Sequence, residues 1–368
     1  MSERKKTIYC FAPNYGWDNQ QLVKNCGALP LVFHKKYGFD AVMVGGKCDE
    51  YSNLEKYLHS VRMEFYKDFS IKSKLDYIKE NAHKMDYVVL HGYAAEYIDM
   101  MFLYKKINPN GKIYMETDAN CQSQDRLPWD DYGYKWLLQN CDVIGASCHK
   151  IHKLLSRKWS NKVEYIPNGY YNFMNLDMKV DFSKKENIIL TVGRIGTEQK
   201  NNEMLINAFA KIYQNFPDWK IVLVGSVTNS FKSFLDEIYS KYSMIDRQII
   251  VTGLISEKKE LIEIYKRSKI FVLTSVFEGA PNVAAEALFC GCAMITTKID
   301  SDIDIVDNGK CGDVVEQNDV AGLAELLMRF CKNHELLNQY GKHSIKYANK
   351  SMNFEKIMDR LYYLLCTL

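Results

Sequence analysis

Short apolar runs recur along the chain, each closed by glycine or a small polar residue and followed by a stretch with helical spacing. Residues 6–12 predict a first strand, followed by a loop through Pro13, Gly16 and Trp17 and a helical pattern over 20–36. Strands are predicted at 39–44, 87–90, 112–115, 143–146 and 163–166, with a helix over 72–84 between the second and third. Apolar runs not broken by polar alternation are what a parallel sheet covered on both faces requires. The pattern therefore predicts a doubly wound α/β domain, with Gly16, His91 and Asp118 at strand ends where such sheets meet ligands.

Near Pro167-Asn168-Gly169 the last of these strands stops, and a polar stretch over 172–186 reads as a linker. A second set follows, with strands over 188–192, 220–224, 249–252, 270–273 and 293–297. Helices are predicted over 202–216, 260–267 and 282–289, then from 320 to the end. The expected division is 1–175, 176–352 and a terminal helix over 353–368. Residues 54–67 (LEKYLHSVRMEFYK) interleave basic and aromatic side chains. They read either as an amphipathic core helix or as a peripheral contact with an anionic membrane surface.

Composition narrows this picture. At 368 residues, with 47% hydrophobic content, the chain has enough apolar surface for two cores. A net charge of +3, spread along the sequence, provides no basic patch for nucleic acid. Eleven cysteines show no C-x-x-C pair and no spacing that groups them with histidine as metal ligands, so buried free thiols in a reducing cytosol are expected. The apolar run near the N-terminus is too short for a signal peptide, and no stretch reaches transmembrane length.

The chemistry concentrates in 269–298, KIFVLTSVFEGAPNVAAEALFCGCAMITTK. A strand runs into the turn Glu278-Gly279-Ala280. Pro281 is placed for the first position of a helix whose N-terminus suits phosphate. Glu278 and Glu286 have seven residues between them, and Glu286 lies one helical turn past Asn282 on the same face. A carboxylate accepts two hydrogen bonds at once, which matches a vicinal diol such as a ribose. Upstream, Arg194 and Lys200 flank a strand-to-helix loop, and a guanidinium fork with a mobile ammonium suits a diphosphate.

Ser275, Glu278, Gly279, Pro281, Glu286, Ala287 and Gly291 resemble the E-x7-E signature of retaining glycosyltransferases of the GT-B fold, in particular family 4. The run TVGRIGTEQKNNEMLINAF is similar to that family's G-R-x…K-G…L-x-x-A-F segment, with Asn201 in place of the usual glycine, and Gly309, Gly312 and Asp319 match a later element. The resemblance implies two Rossmann-like domains facing across a cleft, the terminal helix crossing back to the first. The first domain takes the acceptor and the second the nucleotide sugar. Arg194 and Lys200 would hold the diphosphate, Glu286 the ribose hydroxyls, and Glu278 a sugar hydroxyl or the developing charge. Backbone N–H groups of Asn282 and Val283 would assist beside Gly279, and the backbone at Leu254 would pack on the base. In the first domain Asp118 matches the family's Asp, whereas Thr117 stands where His is usual. Either His91 substitutes from the neighbouring strand end or the site does without it.

The function implied is transfer of a sugar, UDP-linked by preference, to a glycan or lipid-linked acceptor in bacterial surface polysaccharide synthesis. No cofactor or metal is expected, no nucleic-acid partner, and a cytoplasmic location that extends to the inner face of the membrane. The alternatives are a same-fold enzyme acting on a nucleotide sugar without transfer, such as an epimerase, and a catalytically silent binding module.

Overall fold

In a computed structural model that describes residues 4–12, 17–19, 21–46, 52–117, 120–159 and 163–367, the chain forms two compact units. One comprises Met1–Asn175 with Asn353–Leu368, the other Leu176–Met352. Two of the expected ligand-facing residues, Gly16 and Asp118, lie outside the described residues.

The first unit holds strands β1 (Thr7–Phe11), β2 (Asp40–Gly45), β3 (Arg62–Phe65), β4 (Tyr87–His91), β5 (Lys112–Thr117), β6 (Val143–Ala146) and β7 (Val163–Tyr165). They lie in the order β3-β2-β1-β4-β5-β6-β7, all parallel. Strand alternation sorts the apolar runs onto two buried faces. Ile8, Cys10, Ala41, Met43, Val89 and Tyr114 face one core, and Tyr9, Phe11, Val42, Leu90 and Met115 face the other.

The second unit holds β8 (Glu186–Val192), β9 (Lys220–Val224), β10 (Ile249–Gly253), β11 (Ser268–Leu273), β12 (Ala293–Thr297) and β13 (Gly312–Val315). Their order is β10-β9-β8-β11-β12-β13, again all parallel. From β8 the chain winds outward to β10, then returns to lay β11 on the other side of β8. The β8/β11 junction is therefore the topological switch point, where loops diverge and ligands bind in open α/β sheets.

Three expectations change. Residues 54–67 are not one helix. A short helix, Ser52–Tyr57, ends before β3, which pairs with β2 as an edge strand. Arg62 spans the edge to Asp40 at 2.8 Å and Glu64 at 2.7 Å, and charged side chains there discourage pairing with another chain. The helix predicted over 202–216 stops at Phe209, and a 3₁₀ turn at Tyr213–Asn215 follows. Pro281 precedes the Asn282–Phe289 helix as its N-cap rather than starting it. Among the described residues no helix is long and apolar enough to cross a membrane.

The terminal helix, Phe354–Cys366, belongs to the first unit. The Asn353 side chain caps it by accepting from the Lys356 N–H at 3.1 Å. Its buried stripe of Phe354, Met358, Leu361 and Leu365 joins the core beneath the Asn25–Tyr37 helix, and Tyr362 stacks on Tyr37 at 4.0 Å. Leu361 is wholly buried. Leu361→Ala is expected to lower stability by about 2–5 kcal/mol through lost burial and a residual cavity, read by denaturant unfolding.

Candidate active site

The loops after β8 and β11 meet at the switch point and clasp each other. The Val276 N–H donates to the Gln199 carbonyl at 2.8 Å, and the Thr274 hydroxyl donates to the Lys200 carbonyl at 2.8 Å. The Gln199 side chain donates to the Phe277 carbonyl at 3.1 Å. The ends of β8 and β9 touch as well. A Cβ on Gly225 (φ +141°) would come within 1.7 Å of the Gly193 carbonyl oxygen, so only glycine allows this approach.

Within this clasp Lys200 Nζ pairs with Glu278 Oε1, both side chains largely buried. The Ser275 hydroxyl donates to the same carboxylate oxygen at 2.9 Å. Arg194 is exposed and donates through Nη2 to Gln199 Oε1 at 2.6 Å, so one glutamine ties the arginine to the β11 loop. Asn201, at the position where the motif it resembles has glycine, adopts left-handed geometry at φ +46°, ψ +47°. Its amide donates to Asn318 Oδ1 at 2.9 Å. The substitution retains the backbone shape because asparagine tolerates this region.

Glu286 lies within the Asn282–Phe289 helix and is 8% exposed. Lys258 Nζ holds its Oε1, whereas Oε2 is buried without a geometrically satisfactory hydrogen bond, the Tyr265 hydroxyl being close to the carboxylate. Asn282 Oδ1, one turn earlier, is also buried without a partner, and no side chain caps this helix. Two such oxygens beside an uncapped helix N-terminus form a polar surface that its own chain leaves incompletely bonded. Tyr265 is wholly buried against the same carboxylate, and burial first, then the Glu286 charge, push its hydroxyl well above the ordinary tyrosine range. Gly279 and Val283 are half-buried beside these groups in sequence, and Leu254, just past β10, stands 75% exposed.

In the first unit Thr117, at the position where the resembled motif has His, is buried and donates to the Gly145 carbonyl at 2.6 Å. His91 is 3% exposed, bound through Nδ1 to Glu116 and packed edge-on against Trp17 at 5.2 Å. Among the described residues the ring is thus packed between Trp17 and Glu116.

The structure thus brings Arg194, Lys200 and Glu278 to one clasp and leaves Glu286 and Asn282 on the flank of the following helix. Sequence reasoning missed Gln199 and Lys258. Gln199 leaves no signal in its spacing. Lys258 did leave one: a cation in the first turn of a helix opposes the helix dipole and needs a counter-charge, here Glu286.

Residues 174–347 match the family model described as glycosyl transferases group 1, a segment that falls almost wholly in the second unit. The capsular polysaccharide biosynthesis glycosyltransferase CapM of Staphylococcus aureus is 26% identical over 233 residues, 60% of this chain and 60% of CapM. The UDP-Gal:alpha-D-GlcNAc-diphosphoundecaprenol alpha-1,3-galactosyltransferase of Escherichia coli is 26% identical over 250 residues, 62% of each chain. An uncharacterized glycosyltransferase of Methanocaldococcus jannaschii is 25% identical over 175 residues, 45% of this chain and 41% of the relative. The chain thus spans about two fifths to three fifths of the length of these curated relatives. Among solved structures, Anabaena HepE in complex with UDP is similar at a TM-score of 0.76 with 13% identity, covering 99% of this chain and 100% of that one. A glycosyltransferase from Rickettsia africae is similar at a TM-score of 0.74 with 15% identity, covering 98% of this chain and 97% of that one. The fold is GT-B.

The left-handed turn at Asn201 generates a first test. Asn201→Gly is expected to match or slightly exceed the wild-type melting temperature, whereas Asn201→Val should cost about 1–2 kcal/mol. Equal stability of both variants would show that the turn does not need this geometry.

Proposed function

We propose that this chain is a glycosyltransferase of surface glycan synthesis, moving a sugar from a nucleoside diphosphate donor, UDP-linked by preference, to a glycan or lipid-linked acceptor. The observation that carries the reading is the half-satisfied carboxylate of Glu286. One oxygen is held by Lys258 and the other is buried without a geometrically satisfactory hydrogen bond, one turn from Asn282 Oδ1 in the same state. A vicinal diol supplies the donor hydrogens this carboxylate lacks.

The remaining parts follow the charge that develops on transfer. Departure of the nucleoside diphosphate places negative charge on phosphate oxygens and oxocarbenium-like charge on the sugar. Lys200, Arg194 and the N-terminus of the Asn282–Phe289 helix, with the backbone N–H groups of Asn282 and Val283 beside Gly279, stabilise the leaving group. Glu278, neutralised by Lys200 in the free protein, faces a donor-sugar hydroxyl or the developing positive charge once the diphosphate competes for that lysine. The exposed Leu254 packs its backbone on the base. Asp118, which matches a family acid, takes the acceptor or sugar contact in the first unit. Paired cations perform the role a metal plays elsewhere, so the reaction is metal-independent. It retains anomeric configuration by front-face attack, as the likeness to family 4 and its two spaced glutamates implies.

The E. coli relative's name specifies a diphosphoundecaprenol acceptor, which places that substrate at a membrane. By extension, this chain works in the cytoplasm at the inner membrane face through a peripheral contact.

Thermal-shift measurements against UDP, GDP, ADP and their sugars test the donor site. One nucleotide should raise the melting temperature by an amount that grows with concentration, reaching about 2.7 kcal/mol of stabilisation at a hundred times its Kd. Glu286→Ala should lose that gain. In a transfer assay on a lipid-linked glycan, Lys200→Ala is expected to lower kcat by about 100-fold or more, as removal of one charge-stabilising group does. If no nucleotide shifts the wild type, the nucleotide-sugar reading fails. Donor turnover that ignores acceptor concentration would replace transfer with an epimerase-like reaction.

A further inference from the structure

Four groups that ligate metals converge at the carboxyl edge of the first sheet, on the face covered by the Asn25–Tyr37 helix. Strand parity places three of them there. Cys10 follows Ile8, His91 follows Val89 and Glu116 follows Tyr114, each two residues on along a strand whose earlier residue faces that core. His91 and Glu116 are direct register partners on β4 and β5. Cys26 comes from the first turn of the helix above.

A ligand atom each from Cys26, His91 and Glu116 lie within 4.8 Å of one another. The wholly buried Cys10 thiol lies on the same face beside this imidazole, just outside that grouping, so it must move inward to complete the ligand set. The ring is bound through Nδ1 to Glu116, and its Nε2 is buried without a geometrically satisfactory hydrogen bond. A buried imidazole nitrogen left in that state is costly, and here it stands among thiols rather than among apolar groups.

We propose that Cys10, Cys26 and His91 Nε2 bind a thiophilic divalent cation, Zn²⁺ foremost, while Glu116 orients the imidazole through Nδ1. Sulfur and imidazole nitrogen are the donors zinc takes. A carboxylate on the far nitrogen fixes the tautomer with its proton on Nδ1 and makes Nε2 the better ligand. Binding converts both thiols to thiolates and leaves Nε2 without a proton, the displaced protons going to solvent. The partial exposure of Cys26 leaves a way in. The bound ion ties β1, β4, β5 and the Asn25–Tyr37 helix together at the sheet edge that precedes residue 118. A second grouping, Asp307, Cys311 and His343, offers a single thiol, and its His343 Nε2 is already bonded to Asp307 at 2.7 Å. The proposal does not depend on the transfer reading, since every ligand lies in the first unit.

The full chain, expressed with zinc in the medium and purified without chelator, is assayed for metal by mass spectrometry. A parallel sample is loaded with Co²⁺ and read by absorption. About one zinc per chain is expected, with a thiolate-to-cobalt charge-transfer band and a melting temperature that falls on chelation. Cys26→Ser and Cys10→Ser should each lose the metal and the band while circular dichroism reports native helix content. Should Cys10→Ser fail to fold, the partly exposed Cys26 carries the comparison with His91→Gln. Metal-free wild type that takes up neither Zn²⁺ nor Co²⁺ overturns the proposal, and so does zinc retained unchanged in Cys26→Ser.

Discussion

The Lys200–Glu278 pair is the interaction on which the second unit's ligand edge depends. It joins the loop after β8 to the loop after β11, and both side chains are largely withdrawn from water. An unpaired charge in that position is expensive, so each loop can hold its ionised residue only where the other supplies the counter-charge. The backbone bonds from Val276 and Thr274 to the 199–200 segment then need no further positioning. In the proposed transfer a diphosphate competes for Lys200 and releases Glu278 toward whatever sits beside it. The pair therefore joins the two loops and compensates both charges in the free protein.

Glu286 follows the same rule with a different outcome. Its partner Lys258 comes from a separate helix and occupies one oxygen, so the charge is compensated while half the hydrogen-bonding capacity stays open. The two glutamates of the 278–286 element thus differ in kind. Glu278 is engaged by both a lysine and a serine, and Glu286 is engaged on one side only. The lysines that reach them, Lys200 and Lys258, come from separate loops and helices.

In the first unit the same chemistry takes a thiol-rich form. His91 sits at a strand end, where a sheet of this type presents ligand-binding residues, yet Trp17 and Glu116 enclose it. Its free nitrogen faces inward among cysteines that are distant in sequence, which is why reading the cysteine spacing along the chain disclosed no metal-ligand grouping.

The parallel strands and the place where one unit gives way to the next were legible along the chain, because a strand buried on both faces must be continuously apolar and a linker must not be. The 278–286 element was legible because a strand, a glycine–proline turn and two carboxylates at fixed spacing are local features. Asn201 was legible in the same way, since its backbone preference is its own. Residues 54–67 misled because helical and strand patterns are indistinguishable in a short basic and aromatic run until β2 offers its edge. Which lysine neutralises which glutamate, that Gln199 bridges two loops, and that Cys10, Cys26, His91 and Glu116 share one face are long-range facts. They depend on strand order and register, which bring together residues separated by tens of positions, and only the tertiary structure decides them.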